Sequence, residues 1–253
     1  MPYTFESRIR YSETDSDGHL TLSALLNYFQ DATTFQSEDL GLGIAYTKER
    51  NLAWVLSAWQ IVVERFPKMG ERVTVGTFPT DFKAFLGGRN FYMLDEQGQY
   101  LAKANTLWSL LRTDTGKPSL PTEDMLSSYI LEEKLDMEYA PRKINVPEGG
   151  RSQEPVIVKK HHLDTNQHVN NGQYVSIAME YLPENFVITQ MRAEYKKQAF
   201  LDDVLHPYVV AIAGGSEGDA ESGAERGYAI ALSDGDGKPY AIVEFLGKEP
   251  VEG

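Results

Sequence analysis

The 253-residue sequence contains no cysteine. This absence excludes disulfide bonds, thiolate metal ligands and a cysteine nucleophile together. Long apolar segments are also missing, because the richest one, Leu52–Val63, is interrupted by Ser57 and Gln60 and is too short to cross a bilayer. The segment Met1–Glu6 lacks the basic-then-apolar pattern of a signal peptide. We therefore expect a cytoplasmic protein that does not enter a membrane.

Basic residues are in deficit, with 24 Lys and Arg against 37 Asp and Glu and a net charge of −13. Phosphate neutralisation needs a basic face, so general nucleic-acid binding is not expected. An anionic partner would need a local basic patch instead. The candidates for such a patch are Lys159–Lys160, Lys196–Lys197, Lys83, Arg89 and Arg192.

An internal repeat is the most informative positive feature. The segment Asp164–His168 (Asp-Thr-Asn-Gln-His) has a counterpart 149 residues earlier, Asp15–His19 (Asp-Ser-Asp-Gly-His). A period of this length indicates a duplicated domain, since solenoid repeats run about 20–50 residues. The first copy has Asp17 where the second has the amide of Asn166, so we predict that the first is a retained turn and that function belongs to the second.

Each half follows the same order of expected elements: a strand, the turn, one long helix and about four strands. Helices are expected from about Thr21 to Leu40, ending at Gly41, and from about Asn170 to Tyr181. The expected strands are Thr4–Tyr11, Ala53–Phe66, Arg72–Asp81, Phe85–Leu94, Leu101–Arg112, Val156–His161, Phe186–Lys197, Val204–Ala213, Gly227–Leu232 and Tyr240–Phe245.

The remaining segments read as connections. Pro121–Leu135 predicts a connector helix, Ala140–Glu154 a polar linker, and the acidic, glycine-rich Gly214–Gly227 a loop. One helix covering one face of an antiparallel sheet predicts an α+β fold in each half. The expected domains are therefore residues 1–139 and 155–253, joined by a linker over 140–154.

The segment Asp164–Asn171 (Asp-Thr-Asn-Gln-His-Val-Asn-Asn) resembles a motif of the acyl-acyl-carrier-protein thioesterases, which have a double hotdog fold. The stretch Glu194–Lys197 and the Arg8–Asp15 strand and turn support the resemblance, and the order of elements agrees over nearly the whole chain. The resemblance implies a tandem hotdog, with each half an antiparallel sheet wrapped on one long helix. It also implies hydrolysis of fatty acyl thioesters on acyl carrier protein, with Asp164, Asn166 and His168 in the active site.

One position departs from the family. A glutamate follows the Glu-Tyr-(Arg/Lys)-(Arg/Lys) stretch there, and a cysteine comes next in plant members. Here these residues are Gln198 and Ala199. We include Gln198 among the catalytic candidates, because the family carboxylate activates water or holds the histidine.

The residues themselves allow thioester hydrolysis. His168 is the natural general base, being the side chain that titrates nearest neutral pH. Asp164 either orients the ring or fixes the turn, and Asn166 can bind water or the thioester carbonyl. Backbone N–H groups at the expected helix start offer an oxyanion site, formed by Asn170, Asn171 and Gly172. The competing interpretation is a set of Asx-turns that only caps a helix.

The ligands follow from the same interpretation. The expected acyl pocket is lined by Leu25, Phe29, Trp54, Trp59 and Phe85, and the expected carrier contacts are Lys159, Lys160, Lys196 and Lys197. No cofactor and no metal are expected. His161 and His162 are adjacent on an expected strand, where neighbouring side chains point to opposite faces. Only one of them could therefore join His168 in binding a metal.

Two other functions stay open. One is an acyl-CoA thioesterase, and the other is a catalytically inactive acyl-binding protein, which Gln198 would favour. The oligomeric state is open between monomer and homodimer.

Overall fold

The computed structural model describes residues 1–164, 166–213 and 225–248. The chain divides into two compact units. The first comprises Met1–Ser57 and Val63–Tyr139, and the second comprises Ala58–Val62 and Ala140–Gly253. The domain boundaries expected from the sequence, with a separate linker over 140–154, stay predictions.

The first unit is an antiparallel sheet covered by a long helix. Its strands follow the order β1-β3-β4-β5-β2. Helix α1 contacts β1 and β3. The elements are β1 (Tyr3–Arg8), α1 (Leu22–Asp39), α2 (Ile44–Glu49), β2 (Leu52–Val63), β3 (Arg72–Lys83), β4 (Leu86–Leu94), β5 (Tyr100–Arg112) and α3 (Glu123–Ser128).

Helix α1 forms where the apolar spacing predicted it. Thr21 caps its start, with the hydroxyl accepting a hydrogen bond from Ala24 N at 3.2 Å. Leu22, Leu25 and Phe29 are buried along one face. Gly41 ends the helix region with φ +70°, a conformation that glycine adopts without steric cost. The predicted helix bounds are confirmed to within one residue.

The second unit repeats this arrangement with a shorter helix. Its antiparallel pairs give the order β8-β11-β10-β9, and residues Ala58–Val62 of β2 pair with β8. The two short strands β6 and β7 both pair with β9. The elements are β6 (Arg151–Ser152), β7 (Val156–Ile157), α4 (Asn171–Met179), β8 (Val187–Tyr195), β9 (Val204–Ala213), β10 (Glu225–Ser233) and β11 (Pro239–Lys248).

Several predicted elements end earlier than expected: β1 ends at Arg8 rather than Tyr11, β2 at Val63 rather than Phe66, and the helix α4 at Met179 rather than Tyr181. The connector helix is limited to α3, and the strand expected over 156–161 is the two-residue β7 followed by a 3-10 turn, Lys160–His162. Strand β8 ends at Tyr195 rather than Lys197, because the N–H groups of Lys196 and Lys197 both donate to Tyr240 O, at 2.8 and 3.3 Å, and the regular ladder stops there. Most of the predicted loop over 214–227, and Thr165, lie outside the described residues.

The segment expected as a linker is packed against the second unit. Ile144 is 3% exposed and clusters with Ala231 and Ile242, and Val146 packs on the same cluster. The Ile144 N–H donates to the buried carboxylate of Glu194 at 3.1 Å. This part of the chain therefore contributes to the core of the unit.

The internal repeat is visible in the hydrogen bonds. Asp15 Oδ1 accepts from the backbone N–H groups of Asp17 and His19 at 3.0 and 2.9 Å. Asp164 Oδ1 accepts in the same way from Asn166 and His168, at 2.7 and 3.3 Å. Both copies are Asx-turns of one design, as the alignment of the two segments predicted.

The same turn closes two hairpins, at Asp95 and at Asp234. In three of the four turns the fourth residue is a glycine with positive φ: Gly18, Gly98 and Gly237. The turn at Asp164 has Gln167 there instead, with φ 63°. A side chain in this left-handed conformation costs about 1 kcal/mol or more. The turn that carries the motif is therefore the strained member of the set.

Gln167→Gly should raise the free energy of unfolding by about 1 kcal/mol, because glycine adopts this φ without strain. Denaturant unfolding monitored by circular dichroism measures the change. The matched control is Gly98→Gln in the Asp95 turn, which should lower stability by a similar amount. Unchanged stability in both variants would show that the positive φ carries no strain.

Candidate active site

The Asp164 side chain builds the turn that presents His168. Its Oδ1 accepts the two backbone hydrogen bonds described above, and its own N–H donates to His168 O at 2.8 Å. The Asp164 carboxylate thus accepts hydrogen bonds from the backbone of the motif. Of the two roles expected for Asp164, the geometry supports fixing the turn.

His168 lies half-buried, two residues before the helix cap Asn170. Its ring meets the ring of Phe200 edge to face, with centroids 4.9 Å apart and an interplanar angle of 86°. Phe200 is itself 49% exposed. The imidazole therefore has an aromatic neighbour on one side and remains accessible to solvent and substrate. Asn166 is exposed on the same turn.

A short segment after β8 lies against the motif. Val169 N donates to Ala199 O at 2.9 Å, and Ala199 N donates to the hydroxyl of Tyr174 at 2.9 Å. Burial raises the pKa of Tyr174 to about 12, so this hydroxyl stays neutral. Because Ala199 is tied to Val169, its neighbours Gln198 and Phe200 are held beside the residue that follows His168.

Gln198 occupies an exposed position in this segment, beyond the end of β8. The expected strand through Lys197 is therefore wrong at its end, because β8 stops at Tyr195. Glu194 is instead buried at 2% exposure, where it accepts from Ile144 N and from Lys196 Nζ. This carboxylate serves the packing of the second unit.

The predicted oxyanion donors are only partly available. Asn170 N donates to His162 O at 2.9 Å, and Gly172 N donates to Asn170 Oδ1 at 2.8 Å as the helix cap. Both N–H groups are occupied within the protein, so the expectation for Asn170 and Gly172 is corrected. Asn171 N remains the candidate, and its carbonyl is fixed by the hydroxyl of Tyr195 at 3.0 Å.

His161 and His162 lie in the 3-10 turn rather than on a strand, which removes the argument from opposite strand faces. The centroids of their rings are 4.1 Å apart. His162 is buried, and its Nδ1 accepts a hydrogen bond from Lys159 N at 3.0 Å. Burial, followed by the charges of His161 and Lys159, lowers the pKa of His162. The first copy places Glu13 in this role, accepting from Arg10 N at 2.8 Å.

The residues expected to line the acyl pocket are divided between the two units, and their role stays a prediction. Leu25 and Phe29 are buried in the first unit, where Phe29 packs on Phe91 with centroids 5.4 Å apart. Trp54 and Phe85 are half-buried there. Trp59 is 2% exposed and belongs to the second unit.

The four lysines expected to contact a carrier differ in their surroundings. Lys196 pairs with Glu194, and Lys197 pairs with Asp234. Lys159 and Lys160 are exposed, and neither forms an ion pair with the described residues. The pair Lys159–Lys160 is therefore the better candidate for recognition of an acidic partner.

Sequence reasoning missed Phe200, Tyr174 and Tyr195. Tyr174 had a detectable signal, because it lies four residues after the cap Asn170 and so on the same face of the helix as the cap. The contact of Phe200 with His168 depends on the backbone hydrogen bond between Val169 and Ala199. No local sequence pattern predicts that bond.

Each unit, an antiparallel sheet with one principal helix, has the hotdog arrangement. The whole chain resembles solved double-hotdog structures. The 12:0-ACP thioesterase from Umbellularia californica matches at a TM-score of 0.81 with 23% identity, over 98% of this chain and 94% of that one. An acyl-ACP thioesterase from Bacteroides thetaiotaomicron matches at 0.82 with 22% identity, over 97% of each chain. The predicted α+β double hotdog is confirmed.

The family follows from the sequence matches. The acyl-ACP thioesterase N-terminal domain matches residues 2–129, and the acyl-ACP thioesterase C-terminal domain matches residues 148–246. The chain belongs to the acyl-ACP thioesterase family.

A curated relative, the chloroplastic acyl-[acyl-carrier-protein] hydrolase FATB1 of Cuphea viscosissima, is 27% identical over 78% of this chain. The chain spans about half the length of the curated relatives it matches, 51% in the case of this one. In the part of the chain that the structure describes, no helix combines the length and apolar character needed to cross a membrane.

His162→Gln should flatten the dependence of stability on pH. The pKa of His162 is lowered in the folded state, so its contribution to stability is fully present above the unfolded value near 6.5. That contribution is lost as pH falls from there through the lowered folded value. Gln can accept the same bond from Lys159 N without titrating. When unfolding free energies are measured from pH 8 down to pH 5, they should fall more steeply with falling pH in the wild type than in the variant. Parallel curves would contradict the assignment of this pH dependence to His162.

Proposed function

We propose that this protein hydrolyses fatty acyl thioesters carried by acyl carrier protein, releasing a free fatty acid. Support comes from its membership of the acyl-ACP thioesterase family, whose C-terminal domain contains the His168 motif. The observation that carries the proposal is the position of His168. It lies half-buried on a turn fixed by Asp164, two residues before the cap of α4.

In the proposed mechanism His168 acts as general base. Its imidazole takes a proton from a water molecule, and the water oxygen attacks the thioester carbonyl. The carbonyl oxygen becomes an oxyanion, for which Asn171 N and the amide of Asn166 are the donors. The tetrahedral intermediate then breaks its carbon–sulfur bond, and the imidazolium returns the proton to the leaving thiolate. The products are a carboxylic acid and the free thiol of the carrier.

Asp164 and Gln198 have supporting roles in this scheme. The Asp164 carboxylate holds the turn through Asn166 N and His168 N, so it places the base rather than exchanging protons. Gln198 is neutral and cannot accept a proton at physiological pH, but its amide can orient water from the segment beside the motif.

The partner of the proposed reaction is an acidic carrier, and Lys159–Lys160 is the surface pair proposed to meet it. Lys159 precedes the 3-10 turn and Lys160 is its first residue, and the motif follows directly after that turn. The net charge of −13 opposes approach of an acidic protein, so a local basic patch is needed to orient it. A cytoplasmic location stays a prediction.

A second candidate function is acyl binding without turnover. Two points favour it. Gln198 stands where the family resemblance implies a glutamate, and within the described residues no carboxylate bonds to the His168 ring. Such a protein would bind acyl-carrier thioesters through the same site and leave them intact.

His168→Ala should lower the rate of thiol release from acyl carrier protein thioesters by about 10²- to 10⁴-fold, the range that general base catalysis supplies. Stability should change far less, since the ring is half-buried and packs edge-on against Phe200. The assay uses short to long acyl chains on acyl carrier protein and the same chains on coenzyme A.

The matched control is His206→Ala, an exposed histidine on β9 of the same unit. It should retain wild-type rates. Equal rates for His168→Ala and wild type would exclude His168 as the base. Binding without turnover by the wild type would identify the acyl-binding alternative, and Gln198→Glu would then be expected to introduce hydrolysis.

A further inference from the structure

Arg89 is a buried cation in the first unit. It lies on β4 and is 7% exposed. Two residues further along the same face of β4, Phe91 packs on Phe29 of α1. Arg89 correspondingly reaches Gln36, seven residues after Phe29 on the helix. The guanidinium therefore lies between the helix and the sheet, where apolar side chains are the rule.

The hydrogen bonds of Arg89 leave donor groups unused. Nη1 donates to Gln36 Oε1 and, at 3.1 Å, to Thr77 Oγ1. A guanidinium has five N–H groups, so Nε and Nη2 retain theirs for an acceptor that the described residues do not provide. Thr77 also donates to Asn90 O at 3.0 Å, which fixes the hydroxyl that faces Arg89.

No carboxylate among the described residues pairs with Arg89. Taking a charge out of water is costly unless an opposite charge and hydrogen bonds compensate it. Burial lowers the pKa of Arg89 to about 10, which leaves the group charged at neutral pH. The described residues thus hold a positive charge without a paired carboxylate. The Nε and Nη2 atoms of Arg89 are not among the fully enclosed, unbonded side-chain atoms, so a partner from outside can reach them.

The surroundings of Arg89 are apolar and partly open. The guanidinium carbon lies 5.4 Å from the centre of the Tyr129 ring. Tyr129 belongs to a buried cluster, and three side chains packed against that cluster are half-buried: Tyr46, Trp54 and Phe82. A cation at one end and accessible aromatic surface at the other match a molecule with an anionic head and an apolar chain.

We propose that Arg89 and this cluster form a binding site for a carboxylate-headed amphiphile, of which a free medium-chain fatty acid is the simplest. The carboxylate would accept side-on from Nε and Nη2, the bidentate geometry that arginine offers to carboxylates. The chain would lie along Trp54 and Phe82. The site shares Trp54 with the acyl pocket expected for the proposed hydrolysis and in that respect rests on the proposed function, of which a fatty acid would be the product. It adds an anchor for a free carboxylate at Arg89, and binding there needs no turnover.

The test compares two ligands with the same chain, decanoate and decanol, by isothermal titration calorimetry with the full-length protein. Wild type should bind decanoate at least about tenfold more tightly, corresponding to ~1.4 kcal/mol for the charge-assisted bonds. Arg89→Met should abolish this preference and leave the affinity for decanol unchanged. Arg89→Lys should keep a reduced preference, because a lysine offers the charge without the fork.

The matched control is Arg72→Met, whose side chain is 70% exposed at the start of β3. It should retain the full preference for decanoate, which separates a local contact from the loss of one positive charge. Equal affinity of the wild type for both ligands would overturn the proposal without any variant. The proposal would also be overturned if folded Arg89→Met or folded Arg89→Lys kept the full wild-type preference for decanoate over decanol.

The outcome is independent of catalysis. Binding is measured without a thioester, and the preference for decanoate should persist in His168→Ala. A wild type that fails to release thiol but shows the Arg89-dependent preference would contradict the proposed function alone. Normal thiol release without the preference would contradict only the fatty-acid site.

Discussion

Two hydrogen bonds accepted by Asp164 Oδ1 fix the turn on which the candidate active site is built. They bind the backbone N–H groups of Asn166 and His168, and they hold Gln167 in a left-handed conformation. The turn delivers the chain into the cap Asn170 and the helix behind it. The position of His168 beside Phe200, and the segment at Ala199 tied to Val169, follow from this arrangement.

The two copies of the turn show how one backbone design was put to different uses. In the first copy Gly18 takes the left-handed position, and Glu13 accepts the bond from the preceding backbone N–H. In the second copy Gln167 takes the left-handed position, and His162 accepts the bond from the preceding backbone N–H. The first copy avoids the strain of a side chain at positive φ, and the second presents more side chains that bind or exchange protons. Such strain is common at functional sites, where the surrounding structure holds an unfavourable conformation in place.

Much of the fold was predictable because its signals are local. The spacing of Leu22, Leu25 and Phe29 with Gly41 defined α1, and the β9 prediction Val204–Ala213 agrees with the observed strand. The motif likewise identified the second unit as the place of the candidate site. Helix α2 was missed because six residues carry too little periodicity to be distinguished from a turn.

What could not be predicted depends on tertiary partners. The end of β8 is set by Tyr240 on another strand, whose carbonyl accepts from both Lys196 N and Lys197 N, and Gln198 follows directly after that end. The loss of Gly172 N as an oxyanion donor depends on the rotamer of Asn170. That no carboxylate of the described residues pairs with Arg89 also becomes visible only once strands and helix are assembled.

The role of Asp164 is tested most directly by comparing Asp164→Asn with Asp164→Ala in the thiol-release assay. An asparagine oxygen can accept the same two backbone bonds, so Asp164→Asn should retain activity within about tenfold, while Asp164→Ala should lose the turn and most of the rate. If Asp164→Asn is as inactive as a variant without His168, the charge of the carboxylate takes part in the chemistry, and its assignment as the anchor of the turn is wrong.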